Sequence, residues 1–207
     1  MRIITVGREF SSGGRELGKR LADALGFAYY DREIITEIAK RTNLDENYVA
    51  DKLEKGIVPE FNITYGHTFL YSYMPMQNDI KILVSERELI QEIAEKGEDF
   101  VIVGRNADVI LKNYKPFNLF VYADMPSKIK RCQERADKTE NYTPKELEKK
   151  IKQIDTGRAK RRELITDSKW GRKESYDLCI NTSNIVIKDI VPLIAEYALS
   201  RFERNEK

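Results

Sequence analysis

Ile3-Ile4-Thr5-Val6-Gly7-Arg8-Glu9-Phe10-Ser11-Ser12-Gly13-Gly14-Arg15-Glu16-Leu17-Gly18-Lys19-Arg20-Leu21-Ala22 is the stretch that decides the architecture. It opens as an apolar run rich in β-branched residues, the composition of a buried strand, and breaks at once into glycine and serine. A helix follows: Leu17, Leu21, Ala22 and Leu25 repeat at the helical period, and Gly26 stands where a helix stops. Strand, glycine-serine loop and helix in this order make an anion-binding corner. Loop amides and the unpaired first-turn N–H groups converge where the helix dipole is positive, and phosphate is the anion that suits them.

The literal pattern G-x-x-x-x-G-K-[ST] of a phosphate-binding loop is absent. If Gly14-Arg15-Glu16 stands for its ending, Glu9 replaces the first glycine, Arg15 the lysine, and Glu16 the hydroxyl that binds Mg²⁺. The backbone part of the device is kept and its side chains are changed. Arg15 still offers charge to phosphate oxygens, through a planar fork rather than an ammonium. The plainer reading is a tight turn whose serines cap the helix.

At 207 residues the chain suits one domain with small insertions. It carries 36 lysines and arginines against 34 acids, a net charge of +2, so its balance does not call for nucleic acid or an anionic membrane. Cys132 and Cys179 are too few for a disulfide framework, and no opening segment resembles a secretory signal, which points to the cytosol. No apolar run reaches the ~20 residues that span a bilayer. With His67 as the only histidine, a zinc site and a histidine-based triad are both unexpected.

Further along, residues 27 to 30 read as a short strand ending at Asp31, a carboxylate placed to cap a helix from Arg32 to Arg41 with Ile34, Ile35 and Ile38 buried. A second helix is expected from Asp45 to Glu54. Residues 57 to 78 are irregular and crowded with aromatics, a packed loop or a surface for a homodimer. A helix over residues 79 to 96 buries Ile82, Leu83, Leu89, Ile90, Ile93 and Ala94. Phe100 to Val103 then has the continuous apolarity of a central parallel strand, which places Arg105 and Asp108 in the ligand crevice at its carboxyl end.

Leu119 to Tyr122 is another strand, and Asp124 opens a helix through Arg135. The charged tract up to Arg162 reads as two helices joined by a polar turn. In it Arg158, Arg161 and Arg162 fall on one helical side, a set of cations that suits a flap closing over polyphosphate, although such runs are commonly solvated faces. Tyr176 to Asn181 is a last strand. A final helix from Ile190 to Phe202, capped by Asp189 and with Pro192 in its first turn, is expected to turn Ile190, Val191, Ile194, Tyr197 and Ala198 inward.

Strands alternate with helices throughout, the pattern of a parallel sheet covered on both faces. The opening Thr5 to Glu16, Ile102-Val103-Gly104-Arg105-Asn106-Ala107-Asp108, and Lys169-Trp170-Gly171 through Ser183 together resemble the cytidylate-kinase-like branch of the P-loop nucleoside monophosphate kinases. The resemblance implies a three-layer α/β/α fold with a five-stranded parallel sheet in one domain spanning 1–207. It also implies an NMP-binding insertion over 31–80 and a LID over 126–168. ATP with Mg²⁺ would be the donor and a pyrimidine monophosphate, CMP or dCMP, the acceptor.

By position, the amides of Ser11, Ser12, Gly13, Gly14, Arg15 and Glu16 would hold the donor phosphates. The acceptor set would be Asp31, Arg32, Arg105, Asp108, Asp155 and Arg158, with Arg105 on the nucleotide, Asp155 on its sugar and Arg158 on phosphate. Arg15, Arg158 and Arg162 are the candidate catalytic cations. The chain departs from the pattern where Arg32 replaces a serine and Glu37 an arginine, which leaves base specificity open, as it leaves metal binding at Glu16. A nucleotide sensor that has lost catalysis, or a kinase for a non-nucleotide acceptor, would use the same scaffold.

Overall fold

The structure, a computed structural model, describes residues 1–55, 73–136 and 142–205. Its centre is β1 (Ile3–Arg8), whose Ile3, Ile4 and Val6 are shut from solvent. β1 pairs in parallel with β3 (Phe100–Val103) on one side, Ile3 opposite Phe100, and with β4 (Phe117–Tyr122) on the other, Ile4 opposite Phe117. β2 (Ala28–Tyr30) and β5 (Leu178–Asn181) complete a five-stranded, all-parallel sheet in the order β2-β3-β1-β4-β5. All four residues of β3 are buried, whereas the edge strands are half-buried, as expected for a sheet covered on both faces.

Strand alternation sends Ile4, Val6, Val101, Val103, Phe117, Leu119 and Val121 to one face. They form a core there with α1 (Gly14–Leu25) and α8 (Ile187–Asn205). Ile3, Phe100 and Ile102 face the other way, against α2 (Glu33–Thr42), α3 (Glu46–Lys55), α4 (Tyr73–Glu95) and the short α5 (Ala107–Ile110). α6 (Met125–Arg135) leaves the end of β4, and α7 (Pro144–Glu163) packs on both α6 and α3. A capping box between Thr143 and Glu146, with Pro144 in the first turn, starts α7. Gly18 sets the distance between α1 and the sheet, since a Cβ there would lie 2.7 Å from Val103 Cγ2.

Several expectations are corrected. Asp31 does not cap α2: the cap position is Arg32, with no side-chain cap bond, because the Asp31 carboxylate is drawn to a cation. α4 begins at Tyr73 rather than at 79, with Pro75 in the first turn, where a missing amide is harmless. The rest of the aromatic segment and the dimer contact expected of it lie outside the described residues, as does His67. Leu83 is only half-buried on α4, and Glu86 takes a place in the buried face instead.

α8 starts at Ile187, so Asp189 lies inside its first turn and Pro192 inside the helix. Pro192 has no amide to donate to the Lys188 carbonyl one turn earlier, and Lys188 is exposed. Tyr197 is half exposed, with its ring edge-on to Phe117. Both cysteines are free thiols, and among the described residues no helix is long and apolar enough to cross a membrane.

Candidate functional site

The loop between β1 and α1 is shaped by left-handed backbone at Ser11 (φ 57°) and Gly13 (φ 85°), the latter being the cap residue of α1. The serines do not cap the helix. Ser12 is buried and its Oγ donates to the Glu9 carbonyl at 2.9 Å, while Thr182 Oγ1 donates to the Ser12 carbonyl at 2.6 Å. The amides of Gly13, Gly14, Arg15 and Glu16 therefore donate to nothing among the described residues. They stand together at the positive end of α1, a ready anion site.

The loop is held from outside. Lys128 Nζ of α6 donates to Glu9 Oε2 at 2.9 Å, and the Phe10 amide donates to Asp155 Oδ1 of α7 at 2.6 Å. Lys128 also approaches Asp155 Oδ2 at 3.4 Å. Asp155 is thus engaged through both oxygens. Burial pushes its carboxyl up, opposed by the Phe10 amide and by Arg158 and Lys128.

Around the corner the acidic side chains have cationic partners. Arg15 Nε meets Asp31 Oδ2 at 2.6 Å, and Glu16 meets Arg20 at 2.9 Å and Arg135 at 3.0 Å. Glu16 is therefore tied up where a metal-binding hydroxyl would stand, and the described residues contain no group of three metal-ligating side chains. These residues do not fit a protein-held magnesium. A nucleotide's metal would rest on phosphate oxygens and water, which is compatible with Mg²⁺ chemistry in general.

A second group of cations lies behind the loop. After β3 the backbone takes three successive left-handed residues, Gly104 (φ 74°), Arg105 (φ 61°) and Asn106 (φ 49°). Such a run in non-glycine residues costs about 1–3 kcal/mol each and is held here by bonds from the Gly104 amide to Val6 and from the Ala107 amide to Gly104. It leaves Arg105 buried, with Nε lacking any partner among the described residues.

Arg158 reaches in from α7, its Nη1 donating to the Arg8 carbonyl at 3.0 Å. Arg8 itself, at the end of β1, was not among the sequence candidates. Burial and then the charges of Arg158, Arg105 and Arg15 hold its guanidinium well below the usual range, with Asp31 opposing. Arg105 and Arg158 are lowered in the same way, burial first. Mutually repelling guanidiniums of this kind favour an anion between them.

The three arginines expected to act together on α7 separate. Arg161 is bound to the buried carboxylate of Glu86 on α4 and donates to the Leu53 carbonyl at 3.2 Å. Arg162 Nη1 donates to Asp108 Oδ2 at 2.7 Å, so those two candidates hold each other. Only Arg158 faces the loop. The reason is that two different elements offer them carboxylates, Glu86 on α4 for Arg161 and Asp108 on α5 for Arg162.

Two cavities meet here. The outer one, about 370 Å³, is lined by residues 8 to 15, Arg32 and side chains of α6 and α7 such as Cys132, Arg135 and Lys150. The inner one, about 40 Å³, is lined by Arg8, Arg105, Asp108, Arg158, Arg161 and Arg162, with Trp170 and Tyr176. Arg8, Glu54 and Arg158 line both. The sequence candidates Ser11 to Arg15, Arg32, Arg105, Asp108, Arg158 and Arg162 thus border two adjoining cavities; Asp31 and Asp155 act on them through Arg15 and Phe10. Arg8 and Glu54 were missed because nothing in their local sequence marks them; only the sheet order brings Arg8 beside Gly104.

Comparison with known proteins agrees with this architecture. A crystal structure of an uncharacterized protein from Eubacterium ventriosum superposes with a TM-score of 0.70 at 28% identity, covering 97% of this chain and 99% of that one. Shikimate kinase from Acinetobacter baumannii, in complex with shikimate, matches with a TM-score of 0.54 at 15% identity, over 97% and 93% of the two chains. Shikimate kinase from Bacteroides thetaiotaomicron matches at 0.56 and 16% identity, over 95% and 97%. At such identities the shikimate kinases share the fold. A search of curated protein sequences finds no match. The model of the cytidylate kinase-like family matches residues 3–184, and with the phosphate corner and the layered parallel sheet this establishes that the chain belongs to that family.

Proposed function

We propose that the protein transfers the γ-phosphoryl group of ATP to a pyrimidine nucleoside monophosphate, CMP or dCMP. One observation carries the reading: free amides at the start of α1 line the outer cavity, five arginines line the inner one, and Arg8 and Arg158 belong to both. Donor phosphates would lie on the amides of residues 13 to 16 and the acceptor phosphate near Arg105, with α6 and α7 as the lid and α2 and α3 on the acceptor side.

An acceptor phosphate oxygen forms the new bond to Pγ, the bond from Pγ to the β–γ bridging oxygen breaks, and that oxygen leaves with its electron pair on ADP. The products are ADP and a nucleoside diphosphate, with charge conserved and no proton required. The chain's own part is positioning, neutralisation of the phosphoryl oxygens and exclusion of water. Mg²⁺ bound to the nucleotide would add charge neutralisation.

The narrow inner cavity, about 40 Å³, favours a second reading in which the acceptor is smaller than a nucleotide. An assay of ADP formation across CMP, dCMP, UMP, AMP, shikimate and simple sugars decides between them. CMP or dCMP is expected to give the highest kcat/KM, and a higher value for a non-nucleotide acceptor would overturn the assignment. Arg158→Ala is expected to lower kcat by about 100-fold or more with the fold retained.

A further inference from the structure

We infer that Arg8, not Arg15, is the catalytic cation that takes the place of the lysine missing from the phosphate loop; this rests on the phosphoryl transfer proposed above. Arg15 occupies the lysine's position in the sequence, but the structure commits it elsewhere. Its Nε lies 2.6 Å from Asp31 Oδ2 and its Nη2 3.5 Å from Oδ1, a two-point pairing with a carboxylate that is itself buried. Its side chain is 43% exposed, at the outer side of the cleft. Recruiting Arg15 to phosphate would strip Asp31 of its partner, and a buried unpaired carboxylate is costly.

Arg8 has the opposite setting. Its guanidinium has no hydrogen bond or ion pair among the described residues, and it borders both cavities, where a phosphoryl group passing from donor to acceptor must go. Its side chain runs between two glycines. A Cβ on Gly14 would lie 2.5 Å from Arg8 Cβ, and a Cβ on Gly104 would fall inside the guanidinium itself. Glycine at both places leaves room for this one side chain. Arg158 Nη1 is hydrogen-bonded to the Arg8 carbonyl at 3.0 Å, which fixes the Arg158 guanidinium against the Arg8 main chain at the same junction. A planar fork seated in this way can bridge phosphoryl oxygens that carry charge in the transition state.

The test compares wild type with Arg8→Ala, Arg8→Gln, Arg8→Lys and Arg15→Ala. Readouts are ADP release from ATP and Mg²⁺ with CMP, ADP release in water alone, affinity for a non-hydrolysable ATP analogue by calorimetry, and the melting temperature. Arg8→Ala and Arg8→Gln are expected to lower kcat by about 100-fold or more while analogue affinity changes by less than about fivefold. Arg8→Lys should recover at least about tenfold over alanine, and added guanidinium ion should partly rescue Arg8→Ala. Arg15→Ala should lower kcat by less than about tenfold.

If Arg8→Ala does not fold, Arg8→Gln carries the comparison. The assignment is overturned if the neutral Arg8 variants stay within threefold of wild type in kcat, or if Arg15→Ala loses as much as they do. Wild type that binds the analogue but releases no ADP in either assay would instead remove the phosphoryl-transfer reading, and the role of Arg8 with it.

Discussion

At the scale of single residues, the site depends on Gly104. Its φ of 74° and the guanidinium lying against it leave no room for a side chain. Gly104→Ala is expected to push Arg8 out of the junction and lower kcat by about 100-fold, since misplacing a reacting or stabilising group by 1 Å has that order of effect. Steady-state kinetics beside circular dichroism would check it: an unchanged spectrum with unchanged kcat would refute the expectation. The backbone of the phosphate corner was legible in the sequence, because strand, glycine-serine loop and helix are local patterns. The roles of its side chains were not. Arg15 sits where a lysine is usual, and only the fold shows that Asp31 has claimed it. Arg8 looks like an ordinary strand end until β3 brings Gly104 alongside.

At the scale of elements, α4 and α7 are joined by a buried ion pair. Glu86 and Arg161 are 2% and 4% exposed, and each keeps one atom, Oε1 and Nε, without a partner among the described residues. Removing one member leaves a buried charge unopposed, so Glu86→Ala is expected to cost about 3–5 kcal/mol in urea unfolding, whereas replacing both by Leu and Met is expected to cost far less. Equal losses for the single and double variants would contradict this. The helices themselves were readable from periodicity: Ile82, Leu89, Ile90, Ile93 and Ala94 are buried as their spacing predicts. Glu86 was not, since a carboxylate within an apolar stripe makes sense only beside a partner on a distant helix. The same limit scattered the expected Arg158, Arg161 and Arg162 group, whose spacing was right and whose partners were invisible.

On the scale of the whole molecule, the sheet separates support from chemistry. The carboxyl ends of the strands carry the cleft, and near the other end the Arg2 side chain and amide grip Asp99 at 2.5 to 2.8 Å. Burial pushes the Asp99 carboxyl up, but the Arg2 hydrogen bonds and charge outweigh it and leave the group below its ordinary value of 3.8. A carboxyl lowered on folding contributes stability above its unfolded pKa and loses it as pH falls through the folded one. Asp99→Asn is therefore expected to lower the urea midpoint at neutral pH, with the deficit shrinking below roughly pH 4, and to leave transfer kinetics unchanged. A deficit independent of pH would count against the clamp. The central position of β1 has its own consequence for how the chain is made. β1 is the middle strand of the sheet, and its neighbours begin only at Phe100 and Phe117. Until those residues have been made, an apolar strand travels with both edges open. Its pairing must wait for distant sequence, which predisposes the nascent chain to slow folding and to chaperone capture.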